Sequence, residues 1–310
     1  MSAADVPARW PVKRLLVVLG LATTAYALAL LWWGDSSVSL AVLWSTTTLQ
    51  ACGLCLLSYV LRGVRWRLWM AHYGQHFGWL EGLRLYVVGF AFTPTPGNVG
   101  EALRGLMLAK KPLPLMQSLA IFGAERLADL LCLLLLCLPA ALWLVTHSAF
   151  GGMPVWLMGL AGAVLFVVSC VALVVWRNRL SLLQRMGWLQ EAWLCLSVRP
   201  LVWFGLTFTA WAAQGLAMWL ICRTLDVHMM PSTAIGFYAV AMVAGALSAL
   251  PAGLGGMELA LTGLLVAQGA STAQALTITV LVRLLTLWLA VAIGVLALLY
   301  SAVIRKDIRF

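Results

Sequence analysis

From residue 15 almost to residue 304 the chain is a succession of apolar stretches broken only by short charged loops. An α-helix needs about 20 consecutive apolar residues to cross the hydrocarbon core of a bilayer. Six segments read as full spans: 15–33, 40–61, 115–145, 155–176, 201–222 and 275–300. Two further apolar runs are too short to cross. The first, within 82–111, is broken by Pro94, Pro96, Gly97 and Gly100, and the second, within 232–268, by Pro251, Gly253, Gly255 and Gly256. Pro and Gly at that density stop a helix and force a turn, so each run is read as a hairpin that enters the membrane and returns.

Lipid cannot hydrogen-bond freed backbone amides, so irregular backbone at membrane depth survives only when buried in protein or lining a wet cavity. Paired breaks in corresponding halves of a chain are a sequence pointer to a transport site. Here the register repeats: Glu101 and Arg126 are 25 residues apart, as are Glu258 and Arg283. Each Glu follows a break and each Arg lies in the next apolar helix. The reading is an all-α polytopic integral membrane protein, with about six full spans plus two oppositely oriented re-entrant helical hairpins in an inverted-repeat arrangement. The whole of 1–310 is taken as one transmembrane domain, with repeats over 40–176 and 201–300, a first helix at 15–33 and a cytoplasmic interface segment at 62–81.

Composition agrees: 63% of the 310 residues are hydrophobic and 10% are charged, with a mean hydropathy of +0.98, where a soluble domain carries about 25% charged residues. The formal net charge of +10 is a topology signal. Seventeen of the twenty Lys and Arg fall on one side of the predicted spans, leaving Arg223 in an opposite loop and Arg126 and Arg283 inside spans. The positive-inside rule then puts both termini in the cytoplasm of an inner-membrane protein. A nucleic-acid partner is not expected, because no soluble module gathers the basic residues beside stacking aromatics.

Basic residues precede the first apolar run, and residues 25–29 resemble a cleavage site, but the run continues through Trp33 and is read as a retained helix. The seven cysteines are odd in number and lie in apolar context, which argues against a disulfide framework. Cys52 and Cys55 form a C-x-x-C inside a lipid-length helix rather than a redox motif. His72 and His76 have metal-pair spacing, with no third ligand in sight. Many of the sixteen Trp residues, among them Trp32, Trp33, Trp66, Trp69 and Trp79, sit near span ends, as interfacial belts place them. No metal and no cofactor are expected.

The intramembrane charges carry the chemistry. Glu101, Glu125, Asp129 and Glu258 fall at or within membrane segments alongside Arg104, Arg126 and Arg283, and each such group costs about 2.5–3.5 kcal/mol on insertion scales. Internal pairing would tie helices together. The functional alternative is an anion site. Short helices after the breaks would aim their N–H groups inward at Gly97, Gly100, Gly253 and Gly255. Arg126, Arg283 and Arg104 would hold a lipid phosphate or headgroup, while Glu101, Glu258, Glu125 and Asp129 would balance charge or carry protons.

At these residues the sequence resembles the lysylphosphatidylglycerol synthetase transmembrane-region family, also called flippase-like domain proteins. The matching pieces are YVVGFAFTPTPGNVGEALR at 86–104, ERLAD at 125–129 and PAGLGGME at 251–258, with Arg283 in the last span. Asn98 stands where a small residue is more usual. The resemblance implies lipid translocation between leaflets, or association with glycolipid and aminoacyl-lipid pathways. Multidomain members of the family carry a cytoplasmic aminoacyl-transferase after the membrane region; with the sequence ending at Phe310, this chain is not expected to aminoacylate a lipid itself.

The expectation is therefore a non-enzymatic flippase that moves an anionic phospholipid or polyprenyl-phosphate-linked intermediate by alternating access. The rival is a non-transporting membrane partner of a glycosyltransferase, aminoacyl-transferase or other lipid-modifying enzyme. A membrane enzyme is disfavoured because no catalytic residue stands out: the four histidines lie at the interface or in loops.

Overall fold

A computed structural model describes residues 45–95, 101–109, 112–147, 187–248, 250–305 and 308. The predicted first helix at 15–33, the span at 155–176 and the break residues Gly97 and Gly100 lie outside them. Among the described residues the structure is helical, with one isolated antiparallel bridge between Leu108 and Ile308.

Helix α1 (Thr46–His72) opens on Ser45, whose Oγ accepts from the Thr48 N–H at 3.1 Å, and it runs without interruption past Arg62, Arg65 and Arg67. The interface segment expected from residue 62 is thus, as far as His72, the end of α1, and Arg65 is fully buried. No Pro interrupts 46–72, so nothing local ends the helix before Gly74, which takes a φ of +74° that glycine adopts freely. Helix α2 (Trp79–Val88) tightens into a 3-10 turn at Gly89–Phe92. Helix α3 (Leu115–Leu136) continues across Cys137 into α4 (Leu138–His147).

The second part of the chain holds α5 (Gly187–Ser197), α6 (Pro200–Thr224), α7 (Pro231–Leu247), α8 (Gly256–Ala267) and α9 (Thr272–Arg283). A π-helical turn, Leu284–Trp288, joins α9 to α10 (Leu289–Leu299). Proline at the first position of α6 and α7 suits their starts, where an N–H would have no helical partner. Ser271 caps α9 reciprocally with Gln274, through bonds of 3.2 and 3.0 Å.

Among the described residues, four helical stretches are long and apolar enough to cross a membrane: Thr46–His72, Leu115–Thr146, Pro200–Thr224 and Thr272–Ile304. Their polarity is arranged for lipid. On α1, Leu56, Leu57 and Val60 face outward while Ser58 and Arg65 are buried. The chain is a multi-pass membrane protein.

Helix α1 packs along α6. The stretch α3–α4 packs on α7, and α10 packs on α2 and its 3-10 turn. Both of these latter contacts are close backbone approaches. A Cβ at Gly236 on α7 would lie 2.5 Å from the Ala140 nitrogen, and one at Gly294 on α10 would run into Phe90 and Ala91. Small residues let membrane helices approach in this way, since lipid supplies no hydrophobic drive between them.

Candidate functional site

The second break is a tight turn between two packed helices, α7 and α8. Ala252, Gly253 and Gly255 have φ of 53°, 66° and 87°. Glycine meets this left-handed backbone without the penalty a Cβ brings. Within this 3-10 turn the left-handed backbone turns the Ala252 and Gly253 carbonyls away from the helical ladder, and Arg283 satisfies both from Nη2, at 3.2 and 3.1 Å. Arg283 Nε donates to Glu258 Oε1 at 2.6 Å. The other carboxylate oxygen of Glu258 accepts the Gly255 N–H at 2.7 Å. Glu258 therefore occupies the N-terminal end of α8 itself, the position that the sequence reading reserved for a ligand anion.

The first break ends differently. Thr93 Oγ1 donates to Glu101 Oε1 at 2.9 Å. After the break the chain makes one 3-10 turn at 101–104 and no longer helix. Gly105 then turns back, its carbonyl accepting the Leu113 N–H at 2.9 Å, and Pro112 and Pro114 stop continuation. So short a turn carries little of the dipole expected of a half-helix. Arg104 performs the task Arg283 performs in the second break, donating from Nε to the Glu101 carbonyl at 3.0 Å. Its aliphatic stem crosses the backbone of Gly89, where a Cβ would collide with it.

Around this break lies a buried charge cluster. Arg104 Nη2 meets Glu125 Oε2 at 2.5 Å and lies 3.6 Å from Glu101 Oε2. Arg126 Nη2 lies 3.5 Å from Glu101 Oε2 and 3.3 Å from Asp129 Oδ2. Arg65 Nη1 donates to Asp129 Oδ1 at 2.6 Å and to Thr207 Oγ1 at 2.9 Å, and its Nη2 stands 3.9 Å from Glu125 Oε1. Three guanidinium groups and three carboxylates thus neutralise one another, and with them Trp211 Nε1 donates to Asp129 at 3.2 Å. Glu125 Oε1 and Arg65 Nη2 are buried without a hydrogen bond, and a water-sized recess lined by Trp66, Glu101, Arg104, Ser118 and Glu125 lies beside them.

Residues 17–294 match the family described as the lysylphosphatidylglycerol synthase TM region. The chain belongs to this family. It is also 30% identical over 107 residues to a UPF0104 membrane protein of Methanothermobacter thermautotrophicus. That alignment covers 34% of this chain and 32% of the relative, so the chain spans about a third of that protein's length.

Family membership accounts for the membrane region, and the geometry distributes the predicted residues within it. Glu101, Arg104, Glu125, Arg126 and Asp129 come together in the cluster, whereas Glu258, Arg283, Gly253 and Gly255 form the separate unit of the second break. Of the charged side chains in these two units Arg126 is the least enclosed, its side chain 37% exposed. Both pairs at 25-residue spacing are in contact, Glu101 with Arg126 and Glu258 with Arg283. Sequence reasoning missed Arg65, assigned to the cytoplasmic side by its charge. The available signal was Arg62 and Arg65 three residues apart in an unbroken helical stretch, which puts both on one face. Tyr59, three residues earlier, continues that face and donates to the carbonyls of Leu285 and Thr286, at 2.9 and 3.2 Å, in the π-helical turn. Such turns leave carbonyls outside the regular ladder.

Proposed function

We propose that this chain is a flippase that carries an anionic phospholipid or a polyprenyl-phosphate-linked intermediate across the cytoplasmic membrane, without being an enzyme itself. The observation that carries this reading is the buried cluster of Arg65, Arg104, Arg126, Glu101, Glu125 and Asp129. Charges in a membrane segment are expensive, and by default they mark a substrate or ion pathway. The family supports a lipid role, and the reading adds re-entrant hairpins from opposite sides, both termini in the cytoplasm and an inverted repeat over 40–176 and 201–300.

The helix packing supports the repeat. The leading helices, α1 and α6, pack on each other, and the long helix that follows each hairpin packs on the hairpin arm of the other half: α3–α4 on α7, and α10 on α2. That reciprocity is what a two-fold relation between halves generates. Transport by alternating access then rocks one half against the other, and the α1–α6 seam, crossed by the Arg62–Gln214 and Arg65–Thr207 hydrogen bonds, is the surface that moves. A leaflet-resolved assay in proteoliposomes holding fluorescent phosphatidylglycerol tests the function. Protein-dependent exchange between leaflets is expected, and exchange no faster than in empty liposomes across anionic and polyprenyl-phosphate probes would reject it. In that event the rival reading, a membrane partner of a lipid-modifying or glycosyl-transferring enzyme, would stand.

A further inference from the structure

Among the described residues, Arg62 is the guanidinium of the α1–α6 seam that faces no carboxylate. Arg65, Arg104 and Arg126 share Glu101, Glu125 and Asp129, and Arg283 is held by Glu258. Arg62 lies one turn before Arg65 on α1 and stacks on Trp211, whose Nε1 donates to Asp129, so among the described residues four guanidinium groups stand at or beside three carboxylates. Among the described residues, this group carries one positive charge more than its own three acids balance.

Arg62 is nevertheless held in place. Its guanidinium carbon lies 3.9 Å over the Trp211 ring. Its Nη2 donates to Gln214 Oε1 at 3.0 Å, and the same oxygen accepts from the Tyr238 hydroxyl at 3.0 Å. Gln214 and Tyr238 are buried, whereas Arg62 as a whole is only partly so. Its Nε is buried without a hydrogen-bond partner. An aromatic face below and an amide at one edge fix the plane of the fork and leave a donor unused. Such a fork matches two oxygens of a phosphate, and stacking on an aromatic ring is a use for which Arg is suited and Lys is not.

We propose that Arg62 is the anchor for the phosphate oxygens of the translocated lipid, a role expected from sequence of Arg126, Arg283 and Arg104. The inference rests on the lipid-transport reading above and names the headgroup contact within it. A phosphodiester or phosphomonoester headgroup supplies the negative charge the seam lacks and accepts from Nε. Arg283 has no comparable freedom, since Nε and Nη2 are committed to Glu258 and to the two break carbonyls. The helices that shape the anchor are α1, α6 and α7, so a ligand there touches both halves and is sensitive to their rocking.

The test uses the full-length protein in detergent, with dodecyl phosphate as the probe. Phenylglyoxal modification of arginines, mapped by peptide mass spectrometry, is run with and without the probe. At ten times its Kd, dodecyl phosphate is expected to slow modification of Arg62 roughly tenfold by occupancy and to leave exposed arginines unchanged. Inorganic phosphate at the same concentration is expected to protect much less, and equal protection would assign the site to a soluble anion. In direct binding, Arg62→Gln is expected to weaken dodecyl phosphate by at least about tenfold, with Arg62→Lys in between. Wild-type affinity in Arg62→Gln, or protection confined to Arg126 or Arg283, overturns the assignment and leaves the transport reading standing. If wild type binds neither dodecyl phosphate nor phosphatidylglycerol, the anionic cargo itself is rejected. The protection experiment needs no variant, so misfolding of Arg62→Gln does not remove the test.

Discussion

Arg283 and Glu258 are 25 residues apart in sequence and 2.6 Å apart in the structure, and the guanidinium that binds this carboxylate also binds the two carbonyls released by the break. One side chain thus closes the turn between α7 and α8 and neutralises the acid at its edge. Removing it would strip the turn of its partners and leave Glu258 with the Gly255 N–H.

Arg283→Met is therefore expected to destabilise the protein by about 3 kcal/mol, the low end of the range for breaking a buried pair, because Glu258 is only partly buried. Arg283→Met combined with Glu258→Met should be less destabilising than the sum of the singles, because the second change removes the stranded charge. Denaturant unfolding of the four proteins in detergent measures the cycle. Strict additivity would show that the pair is not coupled.

Arg65→Lys is expected to behave nearly as badly as Arg65→Met. The guanidinium reaches Asp129 and Thr207 from a single nitrogen while facing Glu125 with another, and an ammonium cannot span those positions. Thermal melting of the two variants decides this. A lysine variant with wild-type stability would refute the bridging role.

Gly236→Leu and Gly294→Leu should each destabilise, by about 1–3 kcal/mol or more, because overpacking forces helices apart. The first would press on the Ala140 backbone and the second on Phe90 and Ala91. Gly53→Ala on α1, where a Cβ meets nothing within 4 Å, is the control and should be neutral or slightly stabilising. Comparable losses in all three would mean that the two close helix contacts are not special.

Cys195 sits on α5, outside the helices long enough to span. Burial, reinforced by the neighbouring Glu191 carboxylate, pushes its thiol up to about 11. The thiolate is the reactive form, so a variant retaining Cys195 as its sole cysteine should react with maleimide slowly at pH 7. The rate should climb about tenfold per pH unit up to pH 10 while the thiol stays mostly protonated. A plateau near pH 9 would indicate an unshifted thiol.

Much of this architecture is legible in the sequence because it is local. Apolar runs of lipid length at 115–145, 201–222 and 275–300 correspond closely to helices, and the Pro and Gly at 251–256 mark where α7 must end and α8 begin. The short first-break helix fails for an equally local reason: Gly105 and two prolines within ten residues leave room for one 3-10 turn. Arg65 escaped because a count of basic residues sorts charge by side, not by partner. An arginine can lie deep in a helix bundle if acids from other elements reach it, and those acids are 64 residues away at Asp129 and 60 at Glu125.

By itself the sequence determined the solvent, the helical class, the places where helices break and the matched Glu-to-Arg spacing. Each follows from local hydropathy or from backbone restrictions of Pro and Gly. The tertiary structure alone decided which charges cancel. It gave Glu258 to the end of its own helix, spent Arg283 on the break and shared Arg104 and Arg126 among three acids. It left Arg62 stacked on Trp211 without an acid among the described residues. Charge pairing over a few ångströms depends on which helices meet, and that is set by packing across the whole chain.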